Sequence, residues 1–138
     1  EKVVALAILM PIVASMGGIA GMQSLALVIR SQALDQIGSS NSRLLIIKEA
    51  SIGVLNGILW STVVAFAVYL WFNSIFLGIV IASALMINLI IGAISGVSLP
   101  LILSKLKIDP ALAGGVILTT ITDIVGFISL LGIATLIM

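Results

Sequence analysis

Charge falls in clusters along this 138-residue chain, and between the clusters there is almost none. Residues 3–29 and 50–104 hold no Asp, Glu, Lys or Arg, and residues 110–138 hold one, Asp123. A helix that crosses a bilayer needs about 20 predominantly apolar residues. The first and last stretches each suit one crossing. The middle stretch is about twice that length, so it has to fold back on itself. Trp71-Phe72-Asn73-Ser74 marks the reversal, with interfacial aromatics beside two turn-favouring polar residues. The pattern predicts an all-α integral membrane protein with four transmembrane helices, at about 3–30, 43–72, 75–104 and 110–137. These segments are apolar on every face, so helical periodicity adds little. A membrane barrel needs alternating ten-residue segments, and none is visible.

Composition points the same way. With 62% hydrophobic and 8% charged residues, a chain of this size has too little interior for its apolar surface. The net charge of +1 gives no support for a nucleic-acid partner. Without Cys or His, thiolate and imidazole metal sites, disulfides and Cys or His nucleophiles are excluded. What remains is hard oxygen ligation, suited to Mg²⁺, Ca²⁺ or Mn²⁺. Intramembrane proteolysis needs an Asp pair, a Ser–His pair or a zinc motif, so an enzyme is not expected.

Lys and Arg set the orientation. Arg30, Arg43 and Lys48 lie in or beside the first loop, and Lys105 and Lys107 in the third. Both loops should therefore be cytoplasmic. The opposite side holds Lys2, offset by Glu1, and the uncharged turn at Asn73. Both ends of the sequence then fall outside. With Glu as first residue and no signal-peptide pattern, the expectation is a piece of a longer chain, preceded by at least one further helix. The first loop, residues 31–42, contains Gly38-Ser39-Ser40-Asn41-Ser42 and is expected to be flexible. The third is tight, with Asp109 as N-cap and Pro110 at the first helical position.

Asp123 is the leading candidate for chemistry. A carboxylate in a spanning helix costs at least ~2.5 kcal/mol and normally faces protein, water or an ion. Thr119, Thr122 and Asp123 share a helical face, with Gly115 and Gly126 close by. Hydroxyls and backbone carbonyls around a carboxylate make a hard-cation environment; the alternative is a protonated Asp123 that holds helices together. One Asp is too little for Mg²⁺, which takes six oxygens but keeps several as water. Two-fold symmetry would supply a second Asp123, so a homodimer in lipid is expected.

In the first helix, Pro11 and the glycines at 17, 18 and 21 predict a break that frees carbonyls toward a watery cavity. The competing reading is a glycine-rich packing face. Gln23, Asn56, Asn88 and Ser95 are expected to hydrogen-bond between helices. Glu49, beside Lys48, reads as a solvated or paired residue at the cytoplasmic boundary. Met16, Met22 and Met86 read as packing residues.

Taken together and in order, several short motifs resemble the membrane domain of MgtE-type magnesium channels, related to animal solute carriers with the same domain. They are Met10-Pro11 through Gln23, Arg30, Lys48-Glu49, Leu55-Asn56-Gly57, Ile87-Asn88-Leu89, Asp109-Pro110-Ala111-Leu112-Ala113 and Thr119-Thr120-Ile121-Thr122-Asp123. The resemblance covers essentially the whole chain. It implies a homodimeric channel of five helices per chain, with the pore between protomers and hydrated Mg²⁺ bound by the Asp of the last helix. Asp123 matches that Asp, and Thr119 matches a position whose backbone carbonyl contributes. Gly17, Gly18, Ile19, Gly21 and Thr122 become pore-lining candidates. The family's cytoplasmic regulatory domains and first transmembrane helix have no counterpart here. The family pattern Gly-Gly-Asn-x-Gly, then a small polar residue and Gln, is altered: Ile19 replaces the Asn and Met22 the polar residue.

The expected function is channel-like Mg²⁺ transport across the cell membrane, with Asp123 from two protomers holding a hydrated cation. The alternatives are a proton- or Na⁺-coupled divalent-cation exchanger and a non-conducting membrane assembly module.

Overall fold

A computed structural model describes residues 1–36 and 41–138. Most of the glycine-serine stretch expected to be flexible, Gly38 to Ser40, lies outside the described residues. The chain forms α1 (Lys2–Ala33), α2 (Ser42–Phe72), α3 (Ile75–Lys105) and α4 (Pro110–Ile137), and no strand occurs among the described residues. At 28 to 32 residues each helix is about 42–48 Å long. All four are long and apolar enough to cross a membrane, whose hydrocarbon core is about 30 Å thick.

Local chemistry sets the helix ends. Asn73 takes the left-handed conformation after α2, with φ 48° and ψ 41°, a backbone position that Asn tolerates better than most residues. Ser74 then caps α3, its hydroxyl oxygen accepting the Leu77 N–H at 3.4 Å. Asp109 caps α4 by accepting the Ala111 N–H at 3.0 Å, and Pro110 opens that helix. The helices α1 and α3 end alike. Asp35 (φ 53°) and Lys107 (φ 59°) follow the two caps. Gln36 N–H returns to the Ser31 carbonyl, and Ile108 N–H to the Leu103 carbonyl, both at 2.9 Å. This is the Schellman arrangement, with Asp and Lys where Gly is usual.

The break expected in α1 does not occur: the helix runs unbroken through Pro11 and the glycines. Glycine weakens helices in water because water takes over the released backbone groups. Lipid offers them no partner, so the helical bonds are kept. The glycines serve close approach instead. Gly17 and Gly21 of α1 lie against Gly92 and Gly96 of α3, and a Cβ on Gly92 would stand 2.5 Å from the Gly17 carbonyl oxygen. Each helix thus presents a Gly-x-x-x-Gly pair, which lets backbones meet without a side chain between them.

The helix α3 is the hub, packing against α1, α2 and α4, while α1 also packs on α4. The core forms where α1, α3 and α4 meet, around Leu9, Val13, Ile81, Leu85 and Leu130. At one end, Gln32 Nε2 donates to Ser104 Oγ at 3.1 Å. At the other, the Lys2 ammonium lies 4.9 Å from the Phe76 ring centre. The helices α1 and α3 therefore run parallel, with α2 and α4 reversed. Gly96→Ala is expected to destabilise the fold by about 1–3 kcal/mol, because its methyl meets the Gly21 backbone rather than a movable side chain. Thermal unfolding in micelles measures it; an unchanged midpoint would refute the close α1–α3 contact.

Candidate functional site: two carboxylates flanking one helix

Asp123 stands at the middle of α4 and is exposed, on a shallow groove of about 650 Å³ between α4 and α1. Thr119, one turn earlier, shares the groove wall. The opposite wall comes from α1: Pro11, Ala14, Ser15, Gly18, Ile19, Met22, Gln23 and Ala26. Packing against α1 and α3 buries one face of α4 through Gly114, Leu118, Thr122, Gly126 and Leu130. The same packing turns Asp123 and Thr119 outward.

The predicted face therefore divides. Thr122 is fully buried, its oxygen 3.5 Å from where a Cβ on Gly18 would lie. Its hydroxyl donates to the Thr119 carbonyl at 3.1 Å. The Thr119 hydroxyl donates to its own helix, at the carbonyls of Gly115 and Val116 (3.0 and 3.1 Å). Asp123 is exposed along the groove and makes no hydrogen bond among the described residues. Gly18 and Ile19 line the groove, but Gly17 and Gly21 face α3 instead. Ile19 is 60% exposed and Met22 42%, so the wall opposite the carboxylate is largely apolar. No group of three or more His, Cys, Asp or Glu forms among the described residues. One chain brings one carboxylate to this groove.

Of the four intramembrane polar residues expected to bond between helices, only Asn88 does so among the described residues. It is fully buried, and its Nδ2 donates to the Val13 carbonyl of α1 at 2.7 Å. Its Oδ1 has no partner among the described residues. Gln23 and Asn56 turn instead toward a second polar space.

That space corrects the reading of Glu49. Rather than solvated or ion-paired at the boundary, Glu49 is 4% exposed, about two turns into α2. It accepts a 2.8 Å hydrogen bond from the Ser24 hydroxyl of α1, and no Lys or Arg pairs with it among the described residues. Ser24, Gln23, Glu49 and Asn56 are the polar lining of a separate cavity of about 130 Å³. Spacing along the chain could not reveal this, because the burial depends on which helix α2 leans against.

Known proteins share this sequence pattern. The family described as "MgtE: Divalent cation transporter" matches residues 10–133. The chain belongs to this family. The magnesium transporter MgtE of Bacillus subtilis is 42% identical over 135 residues, covering 98% of this chain and 30% of that protein. That of Thermus thermophilus is 31% identical over 138 residues, covering 100% and 30%. The MgtE of Enterococcus faecalis is 30% identical over 133 residues, covering 96% and 29%. The chain thus spans about 30% of the length of these relatives. The MgtE family members are transporters rather than enzymes, and this chain is a multi-pass membrane protein.

Asn88→Ala removes the α3–α1 hydrogen bond and should cost about 1–2 kcal/mol of stability. Denaturation in micelles reads this directly; a neutral result would mean that the Asn88–Val13 contact does not hold these helices.

Proposed function

We propose that this chain forms part of the membrane path of a divalent-cation channel carrying Mg²⁺, with Asp123 from two copies facing one hydrated ion. The observation that carries the reading is the placement of Asp123: a carboxylate at the middle of a spanning helix, without a hydrogen-bond partner among the described residues and lining an open groove. A carboxylate at that depth needs water, protein or a cation beside it. The groove is large enough for an ion that keeps its water, as Mg²⁺ prefers to do. One chain supplies a single negative charge there; a second copy across a two-fold axis balances a dication. The names and family of the relatives support Mg²⁺ as the cargo.

The mechanism is electrostatic and forms no covalent bond. Facing carboxylates lower the energy of a cation at the narrowest point, and the membrane potential drives it inward. Asp123 acts through metal-bound water. The Thr119 carbonyl is a further acceptor for that water, shared with the Thr122 hydroxyl. Ile19 and Met22 offer no acceptor opposite, so selectivity among Mg²⁺, Ca²⁺ and Mn²⁺ is relaxed.

Flux in liposomes at a set potential tests the reading. Asp123→Ala removes the carboxylate from both copies and should lose divalent flux by about tenfold or more. Thr119→Val should stay within about twofold, because that hydroxyl bonds its own helix. Equal flux in Asp123→Ala would remove Asp123 from the path. Flux coupled to pH or Na⁺ would indicate an exchanger, and no flux in either protein an assembly module. Ile19→Asn restores an acceptor opposite Asp123 and should tighten divalent binding by about three- to tenfold; unchanged affinity would contradict the proposed role of that wall.

A further inference from the structure

The cavity around Glu49 is not used by the path proposed for Asp123, and its chemistry differs. Glu49 is 4% exposed, and nothing charged accompanies it in the cavity lining. The other polar groups there are the Ser24 hydroxyl and the carboxamides of Gln23 and Asn56. Burying a carboxylate without a counter-charge is costly. No Lys or Arg supplies one among the described residues.

We propose that the Glu49 cavity binds a monovalent cation of the sodium class. Charge selects the class. One carboxylate and a monovalent cation sum to zero, whereas a divalent ion would leave a net positive charge buried between helices. At about 130 Å³ against 650 Å³, the cavity leaves less room than the groove for the water that Mg²⁺ retains. Each polar lining residue, Glu49, Ser24, Gln23 and Asn56, carries an oxygen of the kind a hard cation takes. Gln23 lines both this cavity and the Asp123 groove, so its side chain lies between the two sites. The inference does not depend on Asp123 binding a metal.

The test uses the protein in micelles at pH 8 and equal ionic strength, with sodium chloride or N-methylglucamine chloride. Thermal midpoints and hydrogen exchange around Ser24 and Glu49 are the readouts. Sodium should raise the midpoint saturably, by roughly a few degrees once it exceeds its dissociation constant many-fold. It should also slow exchange at those two segments. Glu49→Gln keeps the shape and an acceptor for Ser24, and should abolish the response. Ser24→Ala and Asn56→Ala should raise the half-saturating sodium concentration by about three- to tenfold, and they carry the test if Glu49→Gln does not fold. Asp123→Asn should leave the sodium response intact, which separates this site from the groove.

Equal midpoints in the two salts would overturn the proposal, as would a sodium response that survives Glu49→Gln. A response to pH alone, with none to sodium, would mean no cation site and would also overturn it. Stabilisation by Mg²⁺ in Asp123→Asn that disappears with Glu49→Gln would overturn the monovalent assignment.

Discussion

Lipid offers no hydrogen bonds, and the arrangement of this molecule depends on that constraint. Each backbone and side-chain polar group within the spans has to find a partner in protein or water, or carry a cost. The constraint keeps α1 helical across Pro11 and three glycines. It gives the Asn88 amide a carbonyl on the neighbouring helix. It also draws Glu49 onto Ser24 rather than leaving the carboxylate among aliphatic side chains. With water excluded, apolar burial cannot hold helices together, because lipid tails are as apolar as Leu. Close packing takes over, and the facing glycine pairs of α1 and α3 let two backbones nearly touch.

The same helix that makes this tight contact separates the two carboxylates. On one side of α1, Asp123 lines a wide groove whose far wall includes Ile19 and Met22. On another, Glu49 is buried against the Ser24 hydroxyl, with Gln23 and Asn56 in the same cavity lining. The two spaces differ about fivefold in volume, at about 650 and 130 Å³. Gln23 is common to both linings, and the nearby Gly17 and Gly21 seat α1 closely on α3.

Much of the fold was legible in the sequence, and the reasons are physical. Runs without charge located all four spans to within a few residues, since charge is what a bilayer tolerates least. Asp109-Pro110 and Asn73-Ser74 announced their turns because capping is local chemistry. Three features were not legible. The glycines of α1 read as a break because their helix-weakening effect belongs to water. The pair Gly92 and Gly96 was the missed signal, since it is the partner that turns a weak stretch into a packing seam. Glu49 read as a surface residue because Lys48 precedes it, and only the docking of α2 shows which way it points. On α4 the candidate face divided for a similar reason. Packing against α1 buries Thr122 and leaves Thr119 and Asp123 outside, a distinction that a helical wheel for a uniformly apolar segment does not contain.

The central claim is that two copies of Asp123 share one cation, and the most direct test is the number of Mn²⁺ ions bound per chain. Electron paramagnetic resonance on the reconstituted protein, titrated to saturation, counts them. The account predicts one Asp123-dependent Mn²⁺ for every two chains, removed completely by Asp123→Asn. One such ion per chain, or a count that Asp123→Asn leaves unchanged, would contradict it.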